Sequence, residues 1–355
     1  MAMLLDYSLP ELEERFAAMG EPAYRARQVY QWLWQKGVTD PQDMTNLAKS
    51  LRTRLAEEEP LALPAVVRVQ ESSDGTVKLL LSLSDGESVE TVLIPEKDHY
   101  TLCLSTQVGC AMGCTFCATG TMGFTRQMTP GEILSQVLLA RRILEERKSE
   151  LALRNLVFMG MGEPLNNLHN VLASLETITH ELGLGFSTRR VTVSTVGVPE
   201  KLERLGASGL ASLAVSLHAP THELRNELMP RAESLCPLPE LMERLMAYPL
   251  KPRQRITFEY ILLGGVNDSP AHARDLVRLF STFRGSRPKV NLIAFNPPAE
   301  GPELAYRAPA PEDVEQFLEI LRGKDVTVML RKSKGQDIGA ACGQLRAAHE
   351  FGSGA

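Results

Sequence analysis

The sequence predicts an α/β protein: a partial (β/α)6 barrel preceded by a small N-terminal helical domain and a short β extension. Three observations carry this expectation. Apolar residues recur at helical spacing through the first 58 positions. Short extended runs separated by Ser-Asp-Gly turns follow. From residue 99 onward, β-rich runs alternate with amphipathic helices, the pattern of a parallel sheet with right-handed crossovers.

In chain order, helices are predicted over Leu9–Met19, Ala23–Trp34 and, more weakly, Asn46–Glu58. The run Glu57-Glu58-Glu59 before Pro60 marks the domain's end. Extended segments are expected at Val66–Gln70, Val77–Ser82 and Ser88–Ile94. The barrel strands are expected at Tyr100–Thr106, Leu156–Met159, Val191–Thr195, Leu213–Leu217, Ile256–Leu262 and Val290–Phe295, with a last run at Val326–Leu330. Thr129-Pro130-Gly131-Glu132 reads as a capping box with proline at the first helical position. Later helices should begin near Asn167, Pro199, Pro239, Pro270 and Pro311. The domains expected are 1–58 (helical, of an RNA-binding type), 59–97 (β extension and linker), 98–346 (catalytic core) and 347–355 (tail). A barrel places its active site at the C-terminal ends of its strands.

The 355 residues are 44% hydrophobic and 23% charged, ordinary values for a globular chain. No apolar run approaches 18 residues, and the first residues place acids where a signal peptide would be basic and then apolar. A cytoplasmic protein without membrane association is expected. Six unevenly spaced cysteines suit metal or catalysis better than a disulfide scaffold. The net charge of −5 does not advertise nucleic-acid binding. Between Pro22 and Ala56, however, Arg25, Arg27, Lys36, Lys49, Arg52 and Arg54 face only Asp40 and Asp43, and Arg331-Lys332-Ser333-Lys334 forms a second basic knot. On charge alone both are more readily solvated faces than an RNA footprint.

The strongest motif is Cys110-Ala-Met-Gly-Cys114-Thr-Phe-Cys117, directly after the first barrel strand. Thiolates are the usual ligands of iron–sulfur clusters, and three on one loop leave one iron of a cubane without a protein ligand. In this spacing the vacancy is where S-adenosylmethionine (SAM) binds, and one electron from the cluster can release a 5′-deoxyadenosyl radical. A zinc site would ask for a second cysteine pair, which the sequence lacks. The fold expected is therefore a partial (β/α)6 radical-SAM barrel holding a 4Fe-4S cluster on Cys110, Cys114 and Cys117.

The text around this loop, CATGTMGFTRQMTPGEI, VFMGMGEPLNN, SLHAP and DIGAACGQL, together with GEPAYRARQVYQWLW and ESSDGTVK, resembles the RlmN/Cfr family of radical SAM RNA methyltransferases, and within it the RlmN branch. The resemblance runs from about residue 5 to 346. It implies SAM contacts at Gly162, Glu163, Ser194, Ser216, Leu217, His218 and Asn296. A glycine-rich turn lets backbone approach a ligand, and a carboxylate there can accept from the SAM ammonium. Without the motif, the Gly160–Pro164 turn would read as a plain βα turn and His218 as a core histidine.

The resemblance further implies methylation of adenosine at carbon 2, in 23S rRNA near the peptidyl-transferase centre and in tRNA beside the anticodon. An sp² ring carbon is a poor nucleophile, and the family answers with a relay that uses two SAM per methylation. Cys342 carries the methyl group, Glu90 acts as general base, and Cys103 resolves the protein–RNA thioether by forming a disulfide. Glu90 alone would read as a surface strand residue, and Cys236 as an idle buried thiol. An external one-electron reductant of the flavodoxin type and a monomeric state are expected. The neighbouring alternative is methylation of carbon 8, as in the Cfr branch. An iron–sulfur protein that only binds RNA is a third, but it would need neither Cys103 nor Cys342.

Overall fold

The computed structural model describes residues 3–59, 61–283, 288–297, 304–324 and 326–346, so the tail expected at 347–355 lies outside the described residues. Three helices open the chain: α1 (Leu9–Ala18), α2 (Ala23–Trp34) and α3 (Lys49–Glu58). Ser8 starts α1 with a capping box, its backbone N–H donating to Glu11 at 2.8 Å. The apolar faces bury Leu12 and Phe16 of α1, Val29, Leu33 and Trp34 of α2, and Leu51 and Leu55 of α3 in one core.

The strands β1 (Ala65–Glu71), β2 (Val77–Ser82), β3 (Ser88–Pro95) and β4 (Tyr100–Cys103) pair antiparallel in succession. The β5 (Gln107–Gly109) and β6 (Phe124–Gln127) hairpin follows, with the short α4 (Ala118–Thr121) between its strands. Then come α5 (Pro130–Glu146), β7 (Leu153–Phe158), α6 (Leu168–Thr179), β8 (Val191–Thr195), α7 (Pro199–Ser208) and β9 (Ser212–Ser216). Three helices, α8 (His222–Leu228), α9 (Pro230–Leu235) and α10 (Leu238–Met246), precede β10 (Thr257–Leu262). The chain ends with α11 (Pro270–Ser281), β11 (Lys289–Ala294), α12 (Pro311–Arg322) and β12 (Thr327–Arg331).

One ten-stranded sheet runs β1-β2-β3-β4-β7-β8-β9-β10-β11-β12. From β4 to β12 every neighbouring pair is parallel, so the alternation read in the sequence is a partial parallel barrel. The first barrel strand is shorter than its apolar run. After Cys103 the chain leaves the ladder, and the Thr106 and Gln107 N–H groups donate to the Met161 carbonyl at 2.8 and 3.2 Å. The capping box at α5 forms as predicted, with Glu132 N–H donating to Thr129 Oγ1 at 3.2 Å and Thr129 N–H to Glu132 Oε2 at 2.9 Å. The helical segment is tied to this layer by Asp6, which accepts from Gly131 N–H at 3.0 Å, and by the buried Tyr30 hydroxyl, which bonds Thr177 Oγ1 at 2.9 Å.

Candidate active site

The cysteine loop is pinned at its base and on both flanks. Gly109 sits at φ +72°, and a Cβ there would lie 2.0 Å from the Gly123 carbonyl oxygen, so only glycine lets the hairpin close. Cys110 N–H donates to that same carbonyl at 2.6 Å. On one flank, Thr115 N–H donates to Leu228 O at 3.0 Å, and Arg231 donates to Ala111 O. On the other, Ala118 N–H donates to Gly343 O at 2.7 Å and Thr119 Oγ1 to Leu345 O at 2.6 Å. The segment carrying Cys342 is thus bonded directly to the loop carrying Cys110, Cys114 and Cys117.

These four cysteines line a single cavity at the C-terminal ends of the strands, together with Gly162, Glu163, Ser194, Ser216 and His218. Leu217 and Asn296 do not line it. Leu217 is fully buried with its N–H donating to Glu259 O, and Asn296 Nδ2 donates to Ser333 Oγ at 2.7 Å while its carbonyl accepts from Gln344. Cys103 and Glu90 also stand outside the lining, and both are buried.

All six cysteines are free thiols. Among the described residues, no three His, Cys, Asp or Glu side chains converge where a single metal ion could sit. A structural zinc site takes four ligands at one ion, whereas a cubane spreads its thiolates over separate irons. Three soft donors on one loop, facing one cavity, fit an iron–sulfur cluster. Burial pushes all three thiols up, Cys110 to about 12, so the charge of bound iron is what would hold them as thiolates.

Glu163 is buried, and its carboxylate accepts from Leu165 N–H at 2.9 Å, Thr195 Oγ1 at 2.6 Å and Val196 N–H at 3.0 Å. Burial raises its pKa, and these three bonds pull the other way. The side chain is thereby fixed in one orientation against the cavity. Gly162, at φ +99°, passes so close to Gln107 that a Cβ would lie 2.5 Å from its Cβ. His218 holds a left-handed φ of 55°, and its Nδ1 accepts from Ile261 N–H at 3.1 Å, which leaves the ring proton on Nε2. Burial, helped by Arg225, pushes its pKa down to about 3, so it stays neutral.

Cys103 is buried on β4, and burial, followed by the nearby Cys342, raises its pKa to about 12. Cys342 faces the open cavity, yet the surrounding protein desolvates its thiol and raises its pKa, against the pull of Arg331. A Cβ on the neighbouring Gly343 would lie 3.9 Å from Cys117 Cα, so the Cys342 segment and the three-cysteine loop are adjacent. Glu90 pairs with Lys78 at 3.1 Å and accepts from Arg346 N–H at 2.7 Å. Cys236 is buried away from the cavity.

Sequence reasoning missed the clamp behind the loop. Arg225, fully buried, donates to Glu233, to Val196 O at 2.7 Å and to Cys236 O at 3.1 Å, and so locks α8 to α9. It also missed Glu259 and Asn291 on the barrel floor, although Glu259 is the one charged residue in an otherwise uncharged strand.

Two family models match the chain: the ribosomal RNA large subunit methyltransferase N-terminal domain over residues 2–60 and the radical SAM superfamily over residues 104–277. The chain is 58% identical to a dual-specificity RNA methyltransferase RlmN of Solidesulfovibrio magneticus, covering 98% of this chain and 97% of that protein. It is 56% identical to the RlmN of Nitratidesulfovibrio vulgaris, covering 98% and 95%. A crystal structure of a radical SAM methyltransferase from Sphaerobacter thermophilus superposes with a TM-score of 0.90 at 43% identity, covering 98% of this chain and all of that one. With the three-cysteine loop, the partial barrel and the full-length match in agreement, the chain is an enzyme that belongs to the RlmN family of radical SAM RNA methyltransferases.

Proposed function

We propose that this enzyme methylates carbon 2 of adenosine in 23S rRNA and, beside the anticodon, in tRNA, acting in the cytoplasm as a monomer. The observation that carries the reading is the joining of Cys342 to the three-cysteine loop around one cavity. The relatives' names speak of a dual-specificity RNA methyltransferase, which favours two RNA classes. No helix among the described residues is long and apolar enough to cross a membrane.

Cys110, Cys114 and Cys117 would hold a [4Fe–4S] cluster fed by an external one-electron reductant. Glu163, Ser194, Ser216 and His218 would orient SAM along the strand ends, with Gly162 letting backbone approach it. When bound, the cluster supplies the electron that cleaves SAM to a radical able to take a hydrogen atom from a methyl group. Cys342 first accepts that methyl by displacement, then delivers the carbon to the base as a thioether. Cys103 attacks the Cys342 sulfur, and the base departs as the disulfide forms. Glu90, buried beside Lys78, takes the proton the base must lose.

The test separates the two thiols. With SAM, reductant and RNA, Cys103→Ala should accumulate RNA covalently on the protein, seen as a nuclease-sensitive shift on a denaturing gel. Cys342→Ala should acquire neither methyl nor RNA. Mass spectrometry of the released nucleoside distinguishes carbon 2 from carbon 8. Normal turnover by Cys103→Ala without trapped RNA would refute the relay.

A further inference from the structure

Cys342 must shed its thiol proton before it takes a methyl group, and the cavity offers few places to put it. This argument rests on the carrier role of Cys342 proposed above. The Glu163 carboxylate is already committed to three donors. The His218 Nδ1 lone pair is occupied by Ile261 N–H. Glu90 is engaged by Lys78 and Arg346 N–H and does not line the cavity.

Glu259 does line it. The residue lies on β10 in register with Ser216 of β9 and Asn291 of β11, so the three side chains share one face. Ser194 joins the row from β8, its Oγ 3.4 Å from that of Ser216. Glu259 is 5% exposed; its Oε1 accepts from Asn291 Nδ2 at 2.8 Å, and its Oε2 is buried without a partner among the described residues. A carboxylate oxygen held this way is costly until it finds a hydrogen-bond partner. Burial raises the pKa of Glu259, against the pull of Arg331 at the end of β12, the Asn291 bond and Lys289 of β11, and Cys342 lines the same cavity.

We propose that Glu259 is the general base that takes the Cys342 proton during methyl loading. The Sγ–H bond breaks and the proton passes to Glu259 Oε2, directly or through one water. The electron pair stays on Cys342 sulfur, which attacks the methyl carbon of SAM. The sulfonium–methyl bond breaks with its pair going to the sulfonium sulfur, leaving S-adenosylhomocysteine and a protonated Glu259. No oxidant or reductant takes part.

The experiment is methyl loading of Cys342 in reconstituted enzyme given SAM without reductant, followed by peptide mass spectrometry, with iodoacetamide alkylation of Cys342 run in parallel. Glu259→Gln keeps the shape and the oxygen that bonds Asn291. It should slow loading about 100-fold or more with SAM binding retained, and the deficit should narrow as alkaline pH ionises the thiol unaided. Glu259→Asp should recover part of the rate. A carboxylate that merely stood nearby would raise the thiol's pKa, so its removal would speed both reactions; faster or unchanged loading in Glu259→Gln overturns the proposal. If the wild type takes no methyl on Cys342, the carrier reading fails instead. Glu259 is then judged on alkylation, expected to slow in Glu259→Gln.

Discussion

Arg225 offers the sharpest test of how the fold holds the cysteine loop. Its guanidinium is fully buried, pairs with the buried Glu233, and donates to the Val196 and Cys236 carbonyls. Glu233 accepts in turn from Leu238 N–H at 2.8 Å and bonds His222. Arg225→Met removes the cation and strands the carboxylate, which costs about 3–5 kcal/mol for a buried pair broken on one side. The two orphaned carbonyls deepen the loss. Arg225→Met/Glu233→Leu removes both charges and leaves backbone groups and the half-exposed His222 without their partner, so the double variant should be less destabilised than the two single changes summed. A coupling of about 1.5–3 kcal/mol is expected from urea denaturation of the four proteins. Because α8 presents the Leu228 carbonyl to Thr115, the single variant should also bind less iron on reconstitution. Additivity within about 0.5 kcal/mol, with normal iron content, would show that the clamp neither couples as argued nor supports the loop.

Replacing any of Cys110, Cys114 or Cys117 by Ala should abolish the brown chromophore and SAM cleavage, and an absorption spectrum after anaerobic reconstitution checks it. Gly162→Ala should lose SAM binding by equilibrium dialysis, since φ +99° and the 2.5 Å approach to Gln107 leave no room for a methyl group. With its pKa raised to about 12, Cys103 is almost wholly protonated at neutral pH. Its thiolate, and so the rate at which a trapped RNA adduct resolves, should climb about tenfold per pH unit between about 7 and 9; a flat profile would place another step in control. Arg27 is paired with Glu13 and Arg54 with Glu58, whereas Arg25 and Arg52 bond neutral oxygens. Neutralising Arg25 and Arg52 should therefore flatten the salt dependence of RNA binding more than neutralising Arg27 and Arg54; equal slopes would mark this face as solvated.

The alternation of apolar runs made the barrel legible, because each parallel strand buried on both faces reads as a short β-rich block. Phe258, Tyr260 and Leu262 of β10 and Val290 and Leu292 of β11 are such residues. The cysteine spacing made the site legible, since only a compact loop puts three thiols together. What escaped were features with no local signature. The β5–β6 hairpin is two strands of three and four residues whose pairing depends on the approach of Gly109 to Gly123. Arg225 looks like a surface residue of an amphipathic helix, and only the folding of α9 against α8 buries it. Glu259 shows why period alone misleads: its neighbours at 258 and 260 pack outward into the core while it faces the cavity.

The short β extension acquires a reason from where the chain goes after β12. The sheet is open, with β1 at one edge and β12 at the other, and the segment from 333 to 346 spans the gap. Gly335 N–H donates to Asp74 Oδ2 at 3.1 Å and Asp337 accepts from Ser73 N–H at 3.0 Å, both in the turn between β1 and β2. Lys78 of β2 reaches Gly339 O, and Glu90 of β3 accepts from Arg346 N–H. Gln344 completes the bridge by donating to the Asn296 and Pro297 carbonyls. Cys342 is therefore suspended on irregular chain between hydrogen-bonded anchors, not set in a strand. Such bonds are each worth about 1 kcal/mol net, so a few can exchange where a packed strand could not. On the proposed relay, the Cys342 thiol meets SAM, then a base, then Cys103, and a segment held only at such anchors suits that sequence better than a strand would.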